Sequence, residues 1–432
     1  MQTSAKTPLD SIKAAASTIA SGMASYYNGN QSGEIPGVLP TPYYWWEGGA
    51  MFDTLIQYWH LTGDSQYNGI VSQGIQFQQG PNGDFMPTNQ TKAEGNDDQS
   101  TWALAAMSAA ESQFPDPQNG ASWAALADAV FNDQVARWDT QTCGGGLRWQ
   151  VFSFNTGYDY KNSISNGNFF QLAARLARYT GNSTYSDWAS TAFNWTTTVG
   201  FIDDEWNVYD GSYVSTNCST PNRVQLSNSA GTYITGAAHM YNVTAGGSEW
   251  KAALDGLLNR TLSVFFPDGV ANEIACESHG TCDVDMKAFK GLLAHWLVDT
   301  IQMAPYTYQS IMPKLTSSAQ AAALACNGDV CPEVWNGATS NNVTSGLGEQ
   351  LSALSFVQGL LVEDAAAPVT EKTGGSNTTS TSTGSSNGTQ TTATTSGSGT
   401  PKSTNAGVIV GAETARMGLM AAALGSLAWL ML

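Results

Sequence analysis

Two carboxylates that follow one another, Asp97 and Asp98, stand in the segment Gly95-Asn96-Asp97-Asp98-Gln99-Ser100-Thr101-Trp102, just ahead of an Ala-rich stretch. Neighbouring acids repel each other's charge, so one is encouraged to keep its proton while the other ionises. That division equips a site for acid–base work by one carboxyl and base or nucleophile work by the other. Ala103, Leu104, Ala105, Ala106, Met107, Ala109 and Ala110 are strong helix formers, which predicts a helix opening at this pair. A purely structural role is equally natural for the same residues. Asn96 can cap the helix, and Asp97 and Asp98 can complement its dipole. The surrounding elements must decide between the two.

Between residues 9 and 364 the pattern is helix after helix. Residues 12–27 predict one, and residues 46–61 another, with Met51, Leu55, Ile56, Tyr58 and Trp59 supplying apolar faces at helical spacing. Hairpin corners recur. The run from Tyr58 through Thr62-Gly63-Asp64 to Tyr67 is echoed by Tyr179-Thr180-Gly181-Asn182-Ser183-Thr184-Tyr185, and more loosely by Tyr241 to Gly246. Each reads as a helix end, a Gly-bearing turn and a returning helix. First helices of the hairpins are predicted near Trp46, Asp97, Asn166, Asn228, Asp285 and Leu347, and return helices near Ser65, Ala121, Tyr185, Gly247 and Tyr308. The N-terminal helix supplies the missing partner. The expected fold is therefore all-α, a toroid of six inner and six outer helices that closes on itself, since neither end shows a polar capping repeat.

In such a ring the loops before the inner helices converge on one cleft. They carry Trp45, Trp46 and Glu47; Asn96, Asp97 and Asp98; Lys161, Asn162 and Asn166; Asn228 and Ser229; and Asp285 to Lys290. Rings for stacking, amides for hydroxyls and a pair of acids for a bond are what a carbohydrate site needs. Composition agrees. The chain has 14 Trp, 16 Tyr and 15 Phe, but only 17 Lys plus Arg against 35 Asp plus Glu, a formal net charge of −18. Phosphate contacts need clustered cations, so nucleic acid is excluded as a partner. No Cys-x-x-Cys pair is present, and His60, His239, His279 and His295 are scattered, so neither a zinc site nor another cofactor is expected.

Cysteines and sequons point to the secretory pathway. Two of the possible disulfides, Cys276 with Cys282 and Cys326 with Cys331, would close short local loops, and choosing them leaves Cys143 with Cys218. Spacing alone does not fix that connectivity. Asn-x-Ser/Thr sequons start at Asn30, Asn89, Asn182, Asn194, Asn217, Asn242, Asn259, Asn342, Asn377 and Asn387, which predicts surface positions. Residues 365–405 are dominated by Ser, Thr, Gly and Asn and read as an unpacked, O-glycosylated stalk. Asn405-Ala406-Gly407, a spacer and an apolar tail from Gly418 to Leu432 have the layout of a glycosylphosphatidylinositol signal, with Asn405 as the attachment residue and 406–432 as propeptide. A spanning helix is the competing reading, but the apolar run is short for one. Residues 1–8 and those that follow lack the apolar core of a secretory signal, so the N-terminus is expected to be a remnant of a longer one. The expected location is the cell surface and wall, through a lipid anchor in the membrane.

Trp45-Trp46-Glu47-Gly48-Gly49, Asn96-Asp97-Asp98, Thr62-Gly63-Asp64, Asp210-Gly211 and Phe289-Lys290-Gly291, in that setting, resemble glycoside hydrolase family 76 over about residues 12–362. Within that family, the stalked and anchored arrangement is similar to the fungal mannosidases of cell-wall biogenesis. The resemblance implies an (α/α)6 toroid that acts with retention on α-1,6-mannoside bonds of mannan or a GPI glycan. It also implies Asp97 as nucleophile and Asp98 as general acid/base. Adjacent helical residues lie about 100° apart, so both carboxyls can reach one cleft at a separation near the roughly 5 to 5.5 Å of a retaining pair. The family's Tyr-Asn-x-Gly reads Asn228-Ser229-Ala230-Gly231 here, which implies an altered polar contact to the sugar. Transfer to a wall glucan acceptor, or mannan binding with weak catalysis, are the alternative activities.

Overall fold

The structure, a computed structural model, describes residues 8–117, 120–336 and 345–374. The stalk beyond 374, Asn405 with its propeptide, residues 1–7 and the sequons at Asn342, Asn377 and Asn387 lie outside the described residues. Twelve α-helices are described: α1 (Pro8–Ala24), α2 (Trp45–Thr62), α3 (Asn68–Gln78), α4 (Asn96–Glu111), α5 (Trp123–Ala136), α6 (Ser163–Thr180), α7 (Ser183–Thr198), α8 (Ser227–Val243), α9 (Ser248–Phe265), α10 (Met286–Met303), α11 (Tyr308–Ala325) and α12 (Leu347–Gly359). Helices α2, α4, α6, α8, α10 and α12 each pack on the next, and α12 packs back on α2, so the inner ring closes. The outer helices lean on them, with α1 against α12 in the place the sequence assigns it.

Inner helices are apolar or small almost all round because they are buried on every side. Helix α4 buries Trp102, Ala103, Leu104, Ala105, Ala106 and Met107. Trp102 is the hinge between α2 and α4: it stacks on Trp45 at 5.3 Å and on Phe85 at 5.9 Å. The pair Gly48-Gly49 exists for this ring. A Cβ at Gly49 would lie 3.1 Å from Trp102, and one at Gly48 would lie 2.4 Å from the Gly37 carbonyl oxygen. Close approach of the two helices fixes where α4 begins, and so where Asp97 and Asp98 stand.

Two features depart from the all-α expectation and its boundary. A short antiparallel ribbon, β1 (Tyr160–Asn162) with β2 (Gly211–Tyr213), leads into α6. Residues 365–374 do not belong to the stalk but pack as a strap on the domain. His60 and Gln302 contact the Ala366 carbonyl, Arg178 donates to those of Pro368 and Val369, and the N–H groups of Val369 and Glu371 donate to the carbonyls of Glu111 and Tyr179. The sequence signal for a boundary near 364 was loss of apolar periodicity, and a strap held by main-chain bonds has none. The disulfides are Cys143–Cys218, Cys276–Cys282 and Cys326–Cys331. The described sequons, at Asn30, Asn89, Asn182, Asn194, Asn217, Asn242 and Asn259, are all exposed. Among the described residues no helix is long and apolar enough to cross a membrane.

Candidate active site

A cleft of about 810 Å³ opens at the N-terminal ends of the inner helices. Asp97 and Asp98 occupy the first turn of α4, where unpaired backbone N–H groups favour acidic side chains. Asn162 caps α6 by accepting from Ser165 N–H at 3.3 Å, and its amide also reaches Asp97 Oδ2 at 3.5 Å. The cap of one inner helix thus touches the acid at the head of another.

The two carboxyls do not share one environment. Asp97 accepts from Asp98 N–H at 3.1 Å and from the Asn162 amide. Asp98 accepts from Gly95 N–H at 2.6 Å. Burial raises both acids: it pushes Asp97 up to about 7 against the pull of its hydrogen bonds, and it lifts Asp98 well above the usual carboxylate range, with the Asp97 charge adding to burial. The two carboxyls are close enough to titrate as a pair. Both keep partial exposure and line the cleft.

Of the residues that sequence placed at the ligand surface, the structure brings Trp45, Trp46, Asn162 and Asn228 to the cleft wall beside Asp97 and Asp98. It places the others behind that wall. Glu47 accepts from Tyr44 N–H at 2.7 Å and caps α2. Asn96 donates to the Arg148 carbonyl at 2.8 Å and accepts from Arg137 at 2.9 Å. Asn166 grips Leu147 through both its N–H and its carbonyl, at 2.7 and 3.0 Å. Ser229 is buried and donates its N–H to the Asn228 side chain at 2.8 Å. The two lysines are corrections of substance. Lys161 is wholly buried, donates to the carbonyls of Asp139, Thr142 and Gly145, and pairs with Asp139 at 3.3 Å. Lys290 pairs with Glu277 at 2.8 Å, donates to the Glu333 carbonyl and lies 3.9 Å from the Trp335 ring centre. A charge this deep needs its partners within the protein, which is why both ammonium groups face inward.

The structure gives Asp285 and Asp210, which the sequence motifs contain, a place in the cleft lining, and adds Glu94, Asp53, Asn168 and Trp296 to them. Asp285, at the head of α10, accepts from Trp46 Nε1 at 3.0 Å, is pushed up to about 6 by burial, and raises both members of the pair from across the cleft. Glu94 is buried with neither carboxyl oxygen hydrogen-bonded, and burial pushes it up to about 8. Asp53, Asn168 and Trp296 form part of the floor, and Asp210 accepts from Tyr160 OH at 2.7 Å. Trp149, Gln150, Phe154, Asn155 and Thr156 form one wall. They come from the 137–162 connection between α5 and α6, and its length was the available signal, since a plain helix–helix turn needs far fewer residues.

Comparison with known proteins agrees with this geometry. Residues 11–372 match glycosyl hydrolase family 76. The chain is 42% identical to the mannan endo-1,6-alpha-mannosidase DFG5 of Saccharomyces cerevisiae, over 87% of this chain and 83% of that protein. It is 40% identical to the enzyme of the same name in Candida albicans, over 87% and 84% respectively. Among solved structures, Dfg5 from Chaetomium thermophilum in complex with glucosamine superposes with a TM-score of 0.81 at 45% identity, covering 86% of this chain and 95% of that one. The α-1,6-mannanase GH76A of Salegentibacter, captured as an inactive variant with α-1,6-mannotriose, shares the fold at a TM-score of 0.66 and 17% identity, over 81% and 99%. The chain belongs to glycosyl hydrolase family 76.

Proposed function

We propose that this member of family 76 is a retaining glycosidase of α-1,6-linked mannan, with Asp97 as nucleophile and Asp98 as general acid and then base. The observation that carries the reading is the unequal bonding of the pair. Asp97, held by an N–H and an amide, is the better anion; Asp98, with one N–H donor and a charged neighbour, is the better proton carrier. In the first step Asp97 attacks the anomeric carbon while Asp98 protonates the departing glycosidic oxygen. In the second, Asp98 takes a proton from the incoming hydroxyl as the bond to Asp97 breaks. The mannosidase names of relatives at 40 to 42% identity support the α-1,6-mannoside linkage.

The second half-reaction does not specify water. A sugar hydroxyl completes the same cycle as transfer, and anchorage at Asn405 on a cell surface would hold the cleft among concentrated glycans. Transfer of mannan or a GPI glycan to wall glucan is therefore the second reading, and the glucosamine bound by the Chaetomium relative supports a glycan with an amino sugar as one ligand class. The test is incubation of the purified protein with α-1,6-mannooligosaccharides, with and without glucan oligosaccharides, read by mass. Shortened mannooligosaccharides establish the glycosidase, and mixed-sugar products establish transfer. Saturable binding without either product would leave a mannan-binding wall protein.

A further inference from the structure

The head of α4, with Asp97 and Asp98, is bonded to one wall of the cleft. The Asp98 carboxyl is tied to Gly95 N–H, whereas Asp97 looks toward Asn162. Gly95 pairs with Gln150, and Asn96 N–H donates to the Trp149 carbonyl at 2.8 Å. The segment that carries both acids is therefore bonded to the 149–156 wall, and the pair stands beside it. In a retaining cycle the same residue serves the departing and the arriving oxygen, so the acceptor enters along that side.

That wall holds two exposed aromatic faces. Trp149 is 37% exposed and Phe154 69% exposed, and both line the cleft. Neither is loose. A Cβ on Gly157, which has a φ of +96°, would lie 2.3 Å from the Trp149 ring, so this glycine backs the indole and leaves its other side to the cleft. The main chain of Trp149 is bonded at both ends, its N–H to Tyr160 and its carbonyl to Asn96. Phe154 stacks on Phe152 at 5.3 Å with ring planes 13° apart. Asn155 then ties the loop to Gln150 at 3.1 Å and to the Thr91 carbonyl at 3.2 Å. Fixed, solvent-facing rings in a cleft lose little freedom when a sugar face covers them.

We propose that Trp149 and Phe154 form the acceptor platform, on which a neutral hexose polysaccharide lies while one of its hydroxyls attacks the mannosyl-enzyme. The proposal rests on the retaining reading given above. In the step it serves, the acceptor oxygen bonds to the anomeric carbon and the bond from that carbon to Asp97 breaks. Its electron pair returns to the Asp97 carboxylate, and the hydroxyl proton passes to Asp98. Glucan and mannan chains present the same kind of ring face, so the experiment uses both.

Phe154→Ala, Trp149→Ala and Trp149→Phe are compared with the unaltered protein, using an α-mannosyl donor with a small leaving group and graded linear glucan or α-1,6-mannan oligosaccharides. The acceptor concentration for half-maximal transfer should rise about fivefold or more in each alanine variant, with products shifting from transfer toward hydrolysis, and Trp149→Phe should recover most of the loss. Titration of the same oligosaccharides onto Asp97→Asn, with and without Phe154→Ala, reads the platform without turnover and should show the same weakening. An unchanged transfer-to-hydrolysis ratio, or equal oligosaccharide affinity with and without Phe154, would overturn the platform. Absence of a covalent intermediate in the unaltered protein would instead refute the retaining reading, and the titration would still decide the platform.

Discussion

The two ends of the inner ring carry similar chemistry in opposite states. At the cleft end, Asp285 raises both Asp97 and Asp98, Glu94 adds to the rise of Asp98, and the cleft lining offers Lys92 as a cation. At the far end the two arginines of α6 share one buried acid. Arg175 bonds Glu111 at 2.7 Å, Arg178 lies 3.8 Å from the same carboxyl, and His295 lies 3.7 Å from Asp299. The strap at 365–374 then covers this end. Helix N-termini offer unpaired N–H groups that tolerate unpartnered carboxyls, whereas helix C-termini offer carbonyls that must be met by donors. One end is left electrostatically unsettled for a ligand to use, and the other is closed to hold the ring.

The largest expected effects lie in the pair. Under the proposed mechanism, Asp97→Asn removes the attacking carboxylate and should abolish the mannosyl-enzyme, lowering turnover by about three orders of magnitude or more. Asp98→Asn keeps a nucleophile, so donors with very good leaving groups should still load it and then stall. Trapping followed by peptide mass spectrometry checks both, and an adduct on Asp98 would exchange the roles. Activity that needs one proton on the pair should give a bell-shaped pH profile whose acid limb lies above the usual carboxylate range, because burial raises both groups.

At the far end the expected loss is of stability. Arg175→Met strands Glu111 in the core and should cost about 3 to 5 kcal/mol of unfolding free energy. Turnover per folded molecule should stay near that of the unaltered protein. If turnover falls as steeply as stability, the two ends are not independent. Ending the chain at Asp364 removes the strap bonds from His60, Gln302 and Arg178 and should cost about 1 to 3 kcal/mol, read as a lowered Tm.

The smallest effect sharpens the comparison by pH. Glu47, Glu94 and Glu273 are all pushed up to about 8 by burial, so the native state holds protons that the unfolded chain releases. Stability from these groups is therefore present at about pH 4 and declines as pH rises toward 8. Glu94→Gln, a neutral isostere, should flatten part of that decline in Tm. A parallel curve would show that Glu94 is already ionised in the native protein.

Much of this was legible in the chain. Apolar periodicity and Gly-bearing corners placed the inner helices within about three residues of where they lie, because burial on all sides demands small or apolar residues along an entire helix. The same reading could not sort polar residues at the helix heads. Lys161, Lys290, Asn96 and Asn166 sit in the right segments, yet their side chains turn away from the cleft toward Asp139, Glu277, Arg148 and Leu147. A one-residue step on a helix turns a side chain by about 100°, and sequence does not say which way the ring axis lies.

What the sequence determined by itself is local. Alanine-rich runs made α4, glycines made the corners, and adjacency alone guaranteed that Asp97 and Asp98 would share a helix turn. What the tertiary structure decided is everything that depends on partners distant in the chain. Trp102 lodged against Gly48 and Gly49 sets the height of the pair in the cleft. Asn162, 65 residues from Asp97, makes that acid differ from its neighbour. Asp285 raises both from the head of α10, and the 149–156 wall is bonded to the start of α4 beside the pair. A carboxyl's proton affinity is set by burial and by the charges and donors around it in space, and those are fixed only when the ring has closed.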